Sequence, residues 1–292
     1  MKKQPLKIGL ALGGGGARGY AHLGAIKCFE EYGIKFDYIS GTSAGSLVAA
    51  LYSEGYNYEE LLNIAKKINL RDIKKNFIFF MPDSTDGIQK IIKDNCTAQN
   101  VEDLKVPTSI IAVDMISGQE IDITSGNLAK AVAGSCCVPS VFSPVVFENY
   151  HLCDGGLSNT IPSDICKKHG MDVVIGVDVN PTRGQGTDSL KLLDILSASL
   201  RIMMKSNAIK GELYSDVLIA PNLKKFSSTN NEGWQEMIEI GYNTAKQKMP
   251  EILALIRPEK VKLIDKIKSI FKKHNKNKQI EKFEENHNSQ GH

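Results

Sequence analysis

The order of apolar runs and polar breaks along the chain predicts strands alternating with helices. Leu6 to Leu12 is a short, nearly continuous apolar run of the length of a buried strand. A glycine-rich stretch, Gly13 to Gly19, follows it. Tyr20 to Tyr32 then sets Ala21, Leu23, Ile26 and Phe29 at helical spacing, with Gly33 as the cap. A second strand is predicted over 37–40, a helix from Ala44 to Glu54, and another over 57–67 with Leu61, Leu62, Ile64 and Ala65 inward. Ser84 or Thr85 opens a helix running through Lys93. Thr108–Met115 and Gln119–Thr124 read as a hairpin turning at Ser117-Gly118. Asn127 to Cys137 is helical and is stopped by Pro139. Pro144–Phe147 and Tyr150–Cys153 read as strands, Pro162–Lys168 as a short helix and Val173–Val179 as a β-branched strand. A long helix over 188–210, a strand at Val217–Ala220 and a helix from Glu232 to Ile256 complete the body. This alternation predicts an α/β fold, with a largely parallel central sheet flanked by helices and one antiparallel hairpin.

Two stretches break the apolar pattern with chemistry. Gly41-Thr42-Ser43-Ala44-Gly45 is a G-x-S-x-G lying where a strand turns at once into a helix. That is the setting of a nucleophile elbow, in which a sharp turn holds the serine in a strained conformation between small neighbours. The bare pentapeptide also fits an ordinary turn, and the strand–turn–helix context decides between the two. The second stretch contains Gly14-x-Gly16-x-x-Gly19, the spacing of a dinucleotide-binding loop, with Asp37 in rough range of a ribose. Asp37 precedes its strand, whereas the ribose acid of such folds ends one. The same glycines serve another purpose: successive backbone N–H groups without side chains can converge on one anionic oxygen. Nucleotide binding stays as the alternative reading, as does a catalytically idle membrane scaffold.

Composition narrows the picture. The chain has 292 residues, 42% hydrophobic and 24% charged, enough for one large domain or two small ones with a sizeable core. The net charge is +3. Residues 257–292 carry +5 of it, so the body is slightly acidic at −2 and the tail basic. The six cysteines show neither zinc spacing nor a C-x-x-C, and read as small buried thiols of a reducing compartment. The apolar run behind Met1-Lys2-Lys3 is too short for a secretory leader, and no run reaches the ~18 residues of a membrane-spanning helix. The expected location is cytoplasmic, either free or at the inner face of the membrane.

The glycine-rich loop with Arg18, then Gly41-Thr42-Ser43-Ala44-Gly45, then Asp154-Gly155-Gly156, in that order, resembles the patatin-like phospholipases, most closely their bacterial members. The likeness extends to Ala17–Gly24, Pro139–Pro144 and Gly241-Tyr242, and covers roughly residues 6–256. It implies a lipid acyl hydrolase with Ser43 as nucleophile and Asp154 as its base. It also implies an oxyanion hole built on Gly14, Gly15 and Gly16, continuing through Ala17, Arg18 and Gly19, with no metal or cofactor. The residues themselves favour a two-residue arrangement. His22 lies inside a predicted helix, His151 is three residues before Asp154 and so points off the opposite strand face, and His169 sits at a helix end. The expected partner is a lipid ester, and no nucleic-acid partner is expected.

Residues 1–257 are read as the hydrolase domain and 258–292 as an appendage. In the latter Leu263, Ile264, Ile267, Ile270 and Phe271 share one face of a basic amphipathic helix over 259–273. Either that stripe lies on an anionic bilayer or it docks on the body, and a polar tail follows from His274. Phe77-Ile78-Phe79-Phe80-Met81, behind Lys74-Lys75, likewise either faces lipid or belongs to the core.

Overall fold

In the computed structural model, residues 5–68, 84–139, 141–180 and 191–257 are described; the aromatic run at 77–81 and the amphipathic stretch at 259–273 lie outside them. Among the described residues eight strands form one sheet: β1 (Ile8–Leu12), β2 (Tyr38–Thr42), β3 (Thr108–Asp114), β4 (Glu120–Ile123), β5 (Val145–Phe147), β6 (Tyr150–Asp154), β7 (Val173–Val177) and β8 (Val217–Ile219). The helices are α1 (Tyr20–Glu31), α2 (Ala44–Ser53), α3 (Tyr58–Lys67), α4 (Asp86–Asn95), α5 (Leu128–Ser135), α6 (Ser163–Lys168), α7 (Leu192–Tyr214) and α8 (Trp234–Ile256). The order along the sheet is β5-β6-β3-β2-β1-β7-β8, with β4 also on β3. The pairs β1–β2, β1–β7, β2–β3 and β7–β8 are parallel. The expected α/β architecture with a mostly parallel sheet is therefore the observed one.

The parallel strands are buried on both faces, which is why Val173–Val177 reads as an unbroken apolar run. Ala11, Tyr38 and Val174 share one face with Cys166 of α6 and Ala208 of α7. Gly41, on the opposite face of β2, lies against α2: a Cβ there would meet Ser46 Cα at 2.6 Å. Local chemistry sets the helix starts. Asn57 and Glu60 cap α3 reciprocally, and Asn127 Oδ1 accepts the Lys130 N–H at the start of α5. Helices α1 and α8 cross with Gly24 facing the Ile238 carbonyl and Gly241 facing that of Ala21. A methyl at either position would sit about 2 Å from that oxygen.

The antiparallel part is larger than one hairpin. Besides β3–β4, the strands β5 and β6 form a second hairpin, and β6 pairs antiparallel with β3. The hydrogen bonds show how β3 accommodates three neighbours. The Asp114 N–H donates toward β4, at Gln119 O. On the other edge, Pro107 O accepts from Ile39 of β2, and the Met115 N–H donates to His151 O of β6. Strands β2 and β6 thus share one edge of β3 end to end: Thr42 lies opposite Ile111, and Asp154 opposite Ala112. The C-terminal ends of two strands meet at that seam.

Candidate active site

Ser43 stands at the seam, one residue past the end of β2, with φ 53° and ψ −125°. A non-glycine residue at positive φ is strained, and the packing around it holds it there. The approach behind it is tight: a Cβ on Gly45 would lie 2.0 Å from Leu12 O, so only glycine lets α2 start this close to β1. Ser43 Oγ donates to Asp154 Oδ2 at 2.7 Å, and the Gly156 N–H donates to Asp154 Oδ1 at 2.8 Å. Both residues are buried, at 8% and 4% exposure. Burial pushes the Asp154 carboxyl up to about 6, and the bonds from Ser43 and Gly156 pull in the other direction.

Sequence reasoning missed Ser135, the last residue of α5. Its Oγ accepts the Ser43 N–H at 2.9 Å and donates to Ile111 O at 2.6 Å, so it stitches the gap between β2 and β6. Nothing in its local sequence marks it, since Ala133-Gly134-Ser135 is an ordinary small-residue helix end. The Ser43 carbonyl accepts from Ser46 Oγ at 2.6 Å, and Thr42 Oγ1 donates to Asn159 O at 2.8 Å.

The glycine loop lies against the serine: a Cβ on Gly14 would sit 3.3 Å from Ser43 Cβ. Its amides are not equivalent. The Gly14 N–H donates to Thr160 O at 3.0 Å, which takes it out of the donor set expected from the sequence. Ala17 N–H donates to Ser228 O and Arg18 N–H to Gly15 O. Gly19 closes a short 3-10 turn, Gly16–Gly19, that leads into α1. Gly15 and Gly16 donate to no acceptor among the described residues, and Gly16 takes φ +58°. Arg18 turns away from Ser43. Its Nε and Nη2 donate to Phe226 O at 3.0 and 2.8 Å and its Nη1 to Asn180 Oδ1, fastening the loop to the segment before α8 and to the one after β7.

The histidines lie elsewhere. His22 is fully buried and its Nε2 donates to Gly13 O at 2.8 Å; burial lowers its pKa to about 4. His151 is exposed on β6. His169 stacks on Tyr38 and pairs with Asp122 at 3.0 Å. The Asp37 carboxylate accepts the Ile8 N–H at the start of β1, the opposite strand end from the glycine loop. All six cysteines are free thiols, and Cys136, at the end of α5, is the one not fully buried. Among the described residues no cluster of His, Cys, Asp and Glu could hold a metal, and no helix is long and apolar enough to cross a membrane.

Comparison with known proteins identifies the family and the fold. The family model described as patatin-like phospholipase matches residues 10–167. An uncharacterised NTE family protein of Mycobacterium tuberculosis is 31% identical over 180 residues, covering 60% of this chain and 49% of its own. Patatin-like phospholipase domain-containing protein 7 of Rattus norvegicus is 31% identical over 185 residues, 59% of this chain and 13% of its own. Lysophospholipase NTE1 of Scheffersomyces stipitis is 32% identical over 184 residues, 59% of this chain and 12% of its own. The chain thus spans half or less of the length of these relatives. The crystal structure of VipD from Legionella pneumophila shares the fold, with a TM-score of 0.55 at 12% identity over 85% of this chain and 67% of that one.

Proposed function

The chain belongs to the patatin-like phospholipase family, and on that premise we propose that it hydrolyses carboxylic esters of lipids with Ser43 as nucleophile and Asp154 as base. The observation that carries this reading is the 2.7 Å bond from Ser43 Oγ to a buried carboxylate. A serine hydroxyl is a weak nucleophile at neutral pH and needs a base within hydrogen-bond reach. With its carboxyl raised to about 6, Asp154 is mostly ionised at pH 7, yet basic enough to take a proton.

As Ser43 Oγ attacks the ester carbonyl carbon, its proton passes to Asp154. The developing oxyanion meets the N–H groups of Gly15 and Gly16 and the positive end of α2. Asp154 hands the proton to the departing alkoxide as the ester C–O bond breaks, leaving the acyl group on Ser43. Water then gives a proton to Asp154 and attacks the acyl carbon. Collapse of that intermediate returns the proton to Ser43 Oγ and frees the fatty acid. Phospholipids and lysophospholipids are the substrates this reading favours, given the family and the relative named a lysophospholipase. Peripheral contact with an anionic membrane through residues 259–273 belongs to the same proposal, with residues 1–257 as the hydrolase domain.

The test is labelling by a fluorophosphonate, paired with identification of fatty acids released from mixed phospholipids. Wild type is expected to label and release fatty acid, and Ser43→Ala to do neither. Undiminished hydrolysis by Ser43→Ala would sink the reading.

A further inference from the structure

Helix α7 is 23 residues long and seats one side on the body. Ala208 is buried there, a Cβ on Gly211 would lie 2.0 Å from Ile161 O, and Asn207 Nδ2 donates to Leu157 O at 2.6 Å. The other side carries Leu192, Leu196, Ile202, Met203, Ile209 and Leu213, each between 42 and 79% exposed. With Ser199 and Ser206, also exposed, they form one continuous face. Leu192, Leu196, Ser199, Met203 and Ser206 advance by steps of four and three, and Ser199, Ile202, Ser206, Ile209 and Leu213 by three and four. The six apolar residues present on the order of 700 Å², beyond the scattered apolar exposure of a monomer and close to what one partner gives a standard interface.

We propose that this face joins two copies of the chain, with α7 packed antiparallel to α7 of the second copy about a two-fold axis between Ile202 and Met203. The order of residues along the helix fits that arrangement. Counting outward from the axis, Ile202 meets Met203, Ser199 meets Ser206, Leu196 meets Ile209 and Leu192 meets Leu213. Apolar side chains meet apolar ones and hydroxyls meet hydroxyls, from the centre to both ends. A two-fold contact requires such a match, because each copy offers the same surface to the other. No two charged positions of the helix fall opposite each other, so the pairing brings no like charges together. A bilayer asks only for an apolar face and gives no reason for one half of the helix to match the other half reversed. The dimer stands on this match and is independent of the hydrolase reading.

The experiment is sedimentation of the full chain, paired with disulfide cross-linking. Wild type is expected to sediment at twice the mass of one chain at ~10 μM, where an interface of this size is occupied. Met203→Glu enters the contact twice, once from each copy, and is expected to raise the dissociation constant at least ~100-fold. Because Met203 is exposed, its circular-dichroism spectrum should match that of wild type. Cross-linking reads the direction of packing. Leu192 and Leu213 lie ~31 Å apart along one helix, so in the antiparallel pair each sits by the other's counterpart. With an added oxidant, a mixture of Leu192→Cys and Leu213→Cys chains is expected to cross-link, and neither variant alone, nor wild type, to do so. A wild type that is monomeric at that concentration overturns the proposal. Loss of vesicle flotation in Met203→Glu would then assign the face to lipid instead. A Met203→Glu chain that stays dimeric, or Leu192→Cys that cross-links to itself, overturns it as well.

Discussion

The Ser43 N–H donates to Ser135 Oγ at 2.9 Å, across 92 residues of sequence. Since Ser135 also donates to Ile111 O, one hydroxyl joins the elbow to the middle of β3, where the C-terminal ends of β2 and β6 meet. Ser135→Ala would leave a buried N–H and a buried carbonyl unpaired, at about 1–3 kcal/mol for such a group. A drop of several degrees in the thermal midpoint is expected, with kcat falling on the order of 10-fold as Ser43 loses its fixed position. Steady-state kinetics beside a thermal melt will check both.

On the proposed mechanism, Asp154 is expected to set the acid limb of activity. With its carboxyl raised to about 6 by burial, kcat/KM for a soluble ester is expected to fall below pH ~6 as the base becomes protonated. The same shift has a stability consequence. A carboxyl with a raised folded pKa favours the fold most below its ordinary 3.8, and that advantage is lost as pH rises through about 6. Asp154→Asn is therefore expected to be inactive. Its stability relative to wild type should improve from pH 4 to pH 7 by as much as ~3 kcal/mol. Denaturant unfolding at the two pH values measures the difference.

His22 acts in the opposite direction. Its pKa is lowered to about 4 by burial, so the fold holds it neutral, donating to Gly13 O. Its contribution is complete above 6.5 and is lost as pH falls toward 4, up to ~3 kcal/mol. His22→Gln is expected to lose stability less steeply over that window, as urea unfolding at pH 7, 5.5 and 4.5 will show.

Arg18 is expected to matter for order in the glycine loop rather than for charge at the serine. Arg18→Lys keeps the charge but not the planar fork that reaches Phe226 O with two N–H groups and Asn180 with a third. Loss of such bonds is worth about 1–3 kcal/mol. A fall of roughly 10-fold or more in kcat/KM is expected for both Arg18→Lys and Arg18→Ala. Recovery of full activity by lysine would show that charge alone suffices.

Gly45→Ala tests the elbow's packing. Its methyl would lie 2.0 Å from Leu12 O and 2.8 Å from Gly13 O, both backbone atoms that cannot rotate aside. A destabilisation of about 1–3 kcal/mol is expected, with lost fluorophosphonate labelling, because the glycine loop and the serine turn would be pushed apart. A melt and a labelling gel report the two effects.

The chain's local instructions were legible without coordinates. Strand periodicity, the small residues around Ser43 and the alternation of β and α elements depend on near neighbours in sequence, and they led to the α/β sheet and the elbow. The antiparallel share was underestimated, because pairing of β6 with β3 depends on where β2 stops, and no residue of β6 encodes that. Asp154-Gly155-Gly156 in isolation is an ordinary turn, and its link to Ser43 came from resemblance to a family. The seam on β3 is what brings Ser43 within 2.7 Å of that carboxylate. Likewise the sequence marks three glycines with exchangeable amides. Only the tertiary structure, by supplying Thr160 O 146 residues away, occupies the Gly14 amide and leaves those of Gly15 and Gly16 without an acceptor among the described residues. Sterics and propensity act over a few residues and survive in the sequence. Hydrogen-bond occupancy, burial and the rise of a carboxyl to about 6 are set by distant segments, and exist only once the chain has closed on itself.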